Sequence, residues 1–204
     1  MNSLRFIEKI LIVLSIIGVI MKFTNSAGAE IFIVFPLLTL ALIYFLFGFF
    51  IFRDRETKTN VGWKSVVAGM AFSFSLIGIV LKLEYEPLSE ISLLIGIIGC
   101  ISLMLIAMVR RKRMMADEPK QKYYFALINR CTIMIAFSAL FFSIPQSSMI
   151  RFEFRNDPEF GKLMIDYKAD PDNNIKRDRV YHYMIDMDDR PLQPGDSIHY
   201  KLKH

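Results

Sequence analysis

Cysteine, histidine and tryptophan are scarce in this chain, and each scarcity removes a class of chemistry. Its 204 residues hold two cysteines, three histidines and one tryptophan. Two cysteines make no disulfide framework, and Cys100 and Cys131 both lie in or beside apolar runs. No C-x-x-C, H-E-x-x-H, G-x-S-x-G or phosphate-binding glycine loop occurs, so catalysis has no candidate motif and no cofactor is expected. The histidines, His182, His199 and His204, all lie near the C-terminus. His182 and His199 could meet if their segments are neighbours, but two histidines without a third ligand make a weak zinc signal. Ordinary surface histidine is the plainer reading, and no metal is expected. Charge is also absent from one long stretch, the 22 residues Ile31–Phe52.

What is abundant is apolar surface. The chain is 53% hydrophobic with a mean hydropathy of +0.37, too apolar for an ordinary soluble domain, and it holds 18 phenylalanines. The apolar residues fill the first 144 positions in blocks. A block of about 20 residues matches the ~30 Å hydrocarbon core of a bilayer at ~1.5 Å per helical residue. Residues 1–144 carry 15 basic and 9 acidic side chains, whereas residues 145–204 carry 10 and 11. The basic excess therefore belongs to the membrane half, where it sets topology, and gives no reason to expect nucleic acid.

The organising feature is a repeat. Ser15-Ile16-Ile17-Gly18-Val19-Ile20-Met21-Lys22 returns as Ser75-Leu76-Ile77-Gly78-Ile79-Val80-Leu81-Lys82, and Glu30-Ile31 returns as Glu90-Ile91, all at an offset of 60. A lysine and a glutamate recurring at one spacing between apolar runs point to two copies of one helical hairpin. The expected segments are a first hairpin at 1–53, a second at 61–113, a fifth membrane helix at 123–145 and a tail at 146–204.

Five apolar runs are visible. The first, Ile10–Met21, spans if its helix extends from about Leu4 to Phe23 with Lys9 and Lys22 snorkelling. A basic start followed by a short apolar core and Ala27-Gly28-Ala29 also resembles a cleavable signal peptide. The repeat argues against that, since residues 75–91 carry the same pattern internally. The other runs are Ile31–Phe52, Ser65–Leu81, Ile91–Val109 and Tyr123–Ile144. Pro36 is placed where a kink is tolerated in lipid, and Trp63 is expected as an interfacial anchor. The N-terminus, the 53–64 loop and the 110–122 loop carry two, four and six basic residues, against one each for 22–30 and 82–90. The positive-inside rule then places the N-terminus in the cytoplasm of a plasma (inner) membrane protein and, after five spans, the tail on the outer side. The two hairpins point the same way, as parallel repeats.

The tail alternates apolar and polar residues in four short segments. Ile150, Phe152 and Phe154 form one set. Leu163, Ile165 and Tyr167 form a second, Tyr181, Tyr183, Ile185 and Met187 a third, and Ile198, Tyr200 and Leu202 a fourth. With turn residues at Asn156-Asp157-Pro158 and 170–174, this predicts a small antiparallel β-sheet with one apolar face. Phe152, Phe154, Ile165, Tyr167, Tyr181, Tyr183, Ile198 and Tyr200 would then form a partner-binding face.

Lys22, Glu30, Lys82 and Glu90 border the spans. Ionisable groups at membrane depth are functional candidates; the plainer reading is that they mark solvated helix ends, and within a hairpin Lys and Glu could pair. Arg130 lies about two turns inside the fifth run, where it could snorkel to the basic side or pair inside the bundle, although the apolar runs offer it no carboxylate. Gly18, Gly78, Gly96 and Gly99 are packing signals that allow close helix approach.

Met21-Lys22-Phe23-Thr24-Asn25-Ser26-Ala27-Gly28-Ala29, preceded by Ile17-Gly18, resembles the two-helix membrane domain of the L subunit of the bacterial gliding-motility motor. The matching positions are Lys22 and Gly28-Ala29, with Lys82 and Pro87 in the second copy, over roughly residues 5–52 and 65–112. In that family the hairpin packs around a partner subunit and takes part in using the proton gradient. The family's second-helix glutamate falls on Leu40 and Cys100 here, and its loop histidine on Asn25 and Tyr85. The resemblance therefore implies the hairpin fold rather than proton conduction.

The expectation is a mainly α, polytopic membrane bundle of five spans with a β tail. It would act as a non-enzymatic subunit or scaffold that binds a membrane or envelope protein, or a second copy of itself, through its helices and tail. The alternative is a small transporter or ion-conducting subunit using the Lys/Glu pairs at the hairpin ends.

Overall fold

The computed structural model describes residues 2–24, 28–51, 62–113 and 118–188. They form eight helices: α1 Asn2–Phe23, α2 Ala29–Ile51, α3 Gly62–Leu83, α4 Ser89–Arg113, α5 Glu118–Ser143, α6 Gln146–Glu153, α7 Pro158–Ala169 and α8 Asn174–Asp188. They divide into two compact units, one of α1–α5 and one of α6–α8.

In the first unit the sequence repeat becomes a structural one. α3 begins and ends 60 residues after α1, and α4 begins 60 residues after α2. Each hairpin closes through five residues, 24–28 or 84–88, short enough to make its helices antiparallel neighbours. A lysine ends the first helix of each pair and a glutamate opens the second, the sense that suits the helix dipole at both ends.

The buried faces repeat as well. In α1 the buried positions are Glu8, Leu11, Ser15 and Gly18; in α3 the same register buries Ala68, Ala71, Ser75 and Gly78. Spacings of three and four place each set on one stripe of its helix. In α2 the stripe runs through Ala29, Ile33, Pro36, Leu40 and Tyr44, and in α4 through Ser89, Leu93, Gly96, Cys100 and Leu103.

The glycines explain how closely these stripes approach. A Cβ at Gly18 would lie 2.6 Å from the Phe32 carbonyl carbon and 2.7 Å from Ile33 Cγ1. Its counterpart at Gly78 would lie 2.7 Å from the Leu93 nitrogen and 2.8 Å from Leu93 Cγ. Leu93 stands 60 residues after Ile33, so both hairpins are closed by the same glycine contact. Pro36 in α2 cannot donate to the Phe32 carbonyl, and Gly18 lets α1 lie against that freed group. Gly96 meets Ser75 and Gly99 meets Ala71 across α3 and α4. In lipid, where apolar contact with neighbouring tails costs nothing, such close packing of small residues holds helices together.

Among the described residues, four helices are long and apolar enough to cross a membrane: Ala29–Phe47, Ser65–Leu83, Ser89–Lys112 and Gln121–Ser143. The chain is a membrane protein on this ground. α3 is the central helix, packed on α2, α4 and α5, with 61% of its span buried against 17% for α5. α1 equals α3 in length but holds Glu8 and Lys9 within its turns, which is why it stands apart from these four.

The second unit corrects the expected β tail. Residues 146–188 are helical where they are not turns, and the described residues contain no strand. The residues expected as turns are helix caps. Asp157 accepts a hydrogen bond from the Phe160 amide at 3.1 Å and is followed by Pro158 at the first helical position, an N-terminal signature. The Asn173 side chain accepts from the Ile175 and Lys176 amides at 3.1 and 3.4 Å and opens α8. Phe160, Leu163, Met164 and Tyr167 recur at three and four residues, as do Val180, Tyr183 and Met184. Alternation over three positions was drawn from segments whose longer period is helical.

Six of the eight residues expected on one face of that sheet are described, and they lie in this helical unit instead. Phe154 packs edge-on against Phe160 at 4.9 Å between ring centroids, and Phe160 stacks on Tyr183 at 5.6 Å. Tyr183 Oη donates to Asp157 Oδ1 at 3.0 Å. Phe154 and Tyr183 thus belong to the core of this unit, and Ile165 and Tyr167 are half-buried. Phe152 and Tyr181 face outward. Ile198, Tyr200, His199 and His204 lie outside the described residues, and His182 is exposed.

Candidate functional site

Hydrocarbon makes ionisable side chains costly, so those inside the first unit define its chemistry. Among the described residues three groups of them stand out, two near the helix ends and one near the middle of α4 and α5.

The first joins three helices. Tyr44 Oη of α2 donates to Glu8 Oε1 of α1 at 2.8 Å. Arg130 Nη1 of α5 lies 3.5 Å from the same oxygen. The Glu8 side chain is 9% exposed and Arg130 38%. The local reason is register. Glu8 stands on the inward stripe of α1, one turn before Leu11, and Tyr44 on the inward stripe of α2. The Tyr44 ring also packs on Phe72 of α3, 5.8 Å between centroids. Arg130 neighbours the buried Cys131 and flanks the inward face of α5. A carboxylate with a phenol and a guanidinium on one oxygen is neutralised, which is what a low-dielectric interior demands.

This corrects the expectation that Arg130 has no carboxylate in reach. Glu8 lies in what reads as a basic N-terminal start, but α1 begins at Asn2 and carries it into the bundle. The repeat held the missed signal: Glu8 aligns with Ala68, which is fully buried.

The second group is at the opposite end of the hairpins. Lys82 Nζ lies 3.2 Å from Glu90 Oε1, with the lysine side chain 1% and the glutamate 63% exposed. Lys82 continues the inward stripe of α3 one turn beyond Gly78. The pair bridges the second hairpin turn, where Tyr85 holds a left-handed φ of 59°. Lys22 and Glu30 in the first hairpin are half-buried and line a small recess with Ile33, Val34, Leu83 and Glu84. The recess leaves no room for a water molecule. The four repeat charges therefore share one end of the bundle, whereas Arg130 belongs to the cluster near the other.

The third group is uncharged. Cys100 of α4 and Cys131 of α5 are both free and fully buried, and both belong to the same apolar core cluster. Ser75 Oγ of α3 lies 4.0 Å from Cys100 Sγ. In the sequence these cysteines are apolar positions and no more, since nothing local shows that two positions 31 apart share one core.

The remaining polar side chains in the spans form no continuous line. Ser15, Thr39, Ser102, Thr132 and Ser143 each donate to the carbonyl four residues back, the usual way a hydroxyl is satisfied in lipid. Among the described residues no three His, Cys, Asp or Glu side chains gather as metal ligands. Compared with protein-family models, curated proteins and solved structures, the chain matches none of them.

Proposed function

We propose that this chain is a non-enzymatic membrane subunit, a scaffold that holds a small helical unit at the membrane and packs against a membrane or envelope partner or a second copy of itself. The observation that carries the reading is the pairing of its interior charges. Glu8 is neutralised by Arg130 and Tyr44, and Lys82 by Glu90. Residues so engaged tie helices together instead of meeting a substrate. Around them, apolar side chains such as Ile16, Phe35, Leu46, Ile98, Leu105 and Phe137 are exposed, an outer surface suited to lipid or to neighbouring helices.

In this reading α1 is the fifth span, because Phe6, Ile7, Ile10, Val13, Ile16, Ile17 and Ile20 all face outward. The N-terminus is cytoplasmic in the plasma (inner) membrane and α6–α8 lie on the outer side. The likeness of the hairpin to the gliding-motor L subunit stays part of the proposal. Its support is the duplicated hairpin, with Gly18 and Lys22 in the positions that carry the likeness. Phe152 and Tyr181 are the outward aromatic residues of the second unit and the proposed points of partner contact.

The test is chemical crosslinking in native membranes, followed by mild extraction and identification of the crosslinked species. A stoichiometric partner, or a homo-oligomer, that is lost in a Phe152→Glu/Tyr181→Glu variant supports the scaffold. A chain that crosslinks to nothing and runs as a monomer sinks it.

A second reading rests on Glu8, a carboxylate inside a membrane helix. In it the chain is an ion-conducting subunit, with Glu8 and the Lys/Glu pairs at the hairpin ends along the path. Proton or cation flux into liposomes that disappears in Glu8→Gln would favour this reading. Equal flux in both proteins, or none in either, removes it.

A further inference from the structure

The basic residues of the first unit fall into two kinds. Lys82 and Arg130 pair with carboxylates. At the turn from α4 to α5, residues 110–122 hold six basic and two acidic side chains, a net of +4. Arg110, Arg111, Lys112 and Lys122 form no ion pair among the described residues. A solvated helix end would explain the charge alone, so what lies beneath it decides whether it is a site.

α4 and α5 pack on each other. On α4, Met104, Met108 and Arg111 recur at four and three residues. On α5, Lys122, Phe125, Asn129 and Thr132 recur at three, four and three, so each set is one stripe of its helix. Two contacts bring the stripes together. The Arg111 guanidinium lies over the Phe125 ring, 5.1 Å from its centroid, and Thr132 Oγ1 lies 3.8 Å from Met104 Sδ. The contacts are seven residues apart on both helices, about 10 Å of helix, as one antiparallel register requires. Met108, Lys122, Phe125, Asn129 and Thr132 are all exposed. The stripes form an open seam, cationic at its end and aromatic and thioether below.

Asn129 is the unexpected residue of the seam. It is exposed within the Gln121–Ser143 span, and its carboxamide has no hydrogen-bond partner among the described residues. A polar group so placed is costly in hydrocarbon unless something supplies an acceptor. It lies about 10 Å along the helix from Lys122, whose ammonium extends outward. The polar zone of a bilayer is about 5–8 Å deep on each side, so Asn129 reaches its inner edge, where the lipid esters are.

We propose that this seam binds an anionic glycerophospholipid of the adjoining leaflet. Arg111 and Lys122 hold the phosphate, one as a planar fork and one as a point charge. Asn129 donates to a glycerol ester carbonyl, and an acyl chain lies along Phe125 and Met108. The unpaired positive charge selects an anionic headgroup over a zwitterionic one. The inference rests on the membrane character of the first unit and not on the scaffold reading, so each can fail alone.

The test is native mass spectrometry of the purified full chain in detergent with equal amounts of phosphatidylglycerol and phosphatidylcholine. The expected result is one phosphatidylglycerol retained in preference, a preference that weakens with salt. Arg111→Gln/Lys122→Gln should lower phosphatidylglycerol retention about tenfold or more, at about fivefold per basic residue. Asn129→Leu should lower retention of both lipids alike, by about threefold, since both carry the ester. Arg5→Gln/Lys9→Gln removes the same charge from α1 and should change little. In the wild type, phosphatidylglycerol should raise the melting temperature more than phosphatidylcholine does, a reading that needs no variant to fold. Equal retention of the two lipids by the wild type overturns the proposal. So does an equal loss in the α1 variant, which would mean adsorption by net charge. Displacement of the lipid by free glycerol phosphate also overturns it, because the seam would then hold a phosphate and not a lipid.

Discussion

Glu8 and Arg130 meet 3.5 Å apart although they open and close the membrane half of the chain. With Tyr44 they tie α1, α2 and α5 to one another at a single carboxylate oxygen. Breaking one partner of a buried pair leaves the other uncompensated, whereas replacing both can be nearly neutral. Arg130→Met should therefore lower stability in detergent by about 1–3 kcal/mol, reduced from the fully buried case because Arg130 is partly exposed. Glu8→Gln/Arg130→Met should recover part of that loss. A double-mutant cycle on thermal unfolding reads the coupling, and an additive cycle would show that the contact contributes nothing.

Tyr44→Phe tests the other arm. It removes one hydrogen-bond donor from Glu8 and keeps the packing of the ring on Phe72. The expected cost is about 1–3 kcal/mol, that of leaving a buried acceptor short of a partner. The same substitution in a Glu8→Gln background should cost less, and an equal cost would mean the hydroxyl matters for another reason.

Lys82 and Glu90 differ in burial, and the difference has a sign. Glu90→Gln should destabilise the second hairpin, because it strands the fully buried Lys82. Lys82→Met should be milder, since Glu90 is exposed and stays solvated. Unfolding midpoints of the two variants give the order, and the reverse order would contradict the burial argument.

Gly18 and Gly78 perform the same task in the two repeats. Gly18→Leu and Gly78→Leu should each separate the helices of one hairpin, at a cost of about 1–3 kcal/mol or more. The clash is against backbone atoms of Phe32 and Leu93, which cannot swing away. Thermal unfolding with the Gly→Ala variants alongside should give a graded loss, and tolerance of leucine at either site would refute the close approach.

The proposed topology is open to labelling. In a Cys100→Ser/Cys131→Ser background, Glu86→Cys in the exposed second hairpin turn should react with an impermeant maleimide from outside the cell. Lys112→Cys at the end of α4 should react only after permeabilisation. The opposite pattern would invert the chain in the membrane.

The one-dimensional pattern of the chain held the membrane character, the apolar centres of the long helices and the repeat at an offset of 60. These properties are local or periodic. An uncharged run of this length is stable in lipid only as a helix, and a five-residue connection can only make neighbours of two helices. Gly18 and Gly78 were legible as packing residues for the same reason. Over residues 146–188 the alternation misleads because its segments are too short to separate a period of two from one of 3.6. The capping residues Asp157 and Asn173 held the better evidence.

Tertiary structure alone decided which residues meet. Nothing near Arg130 in the chain indicates Glu8, and nothing near Cys100 indicates that it shares a core with Cys131. These contacts arise because α3 sits centrally and brings α2, α4 and α5 around it. Lys82 reads as an interfacial residue until the inward stripe of α3 is seen to pass through it. The hydropathy of a helix says that it is buried in lipid or protein. Which of its faces meets protein is set by its neighbours, and that choice made a neutralised cluster of Glu8, Tyr44 and Arg130.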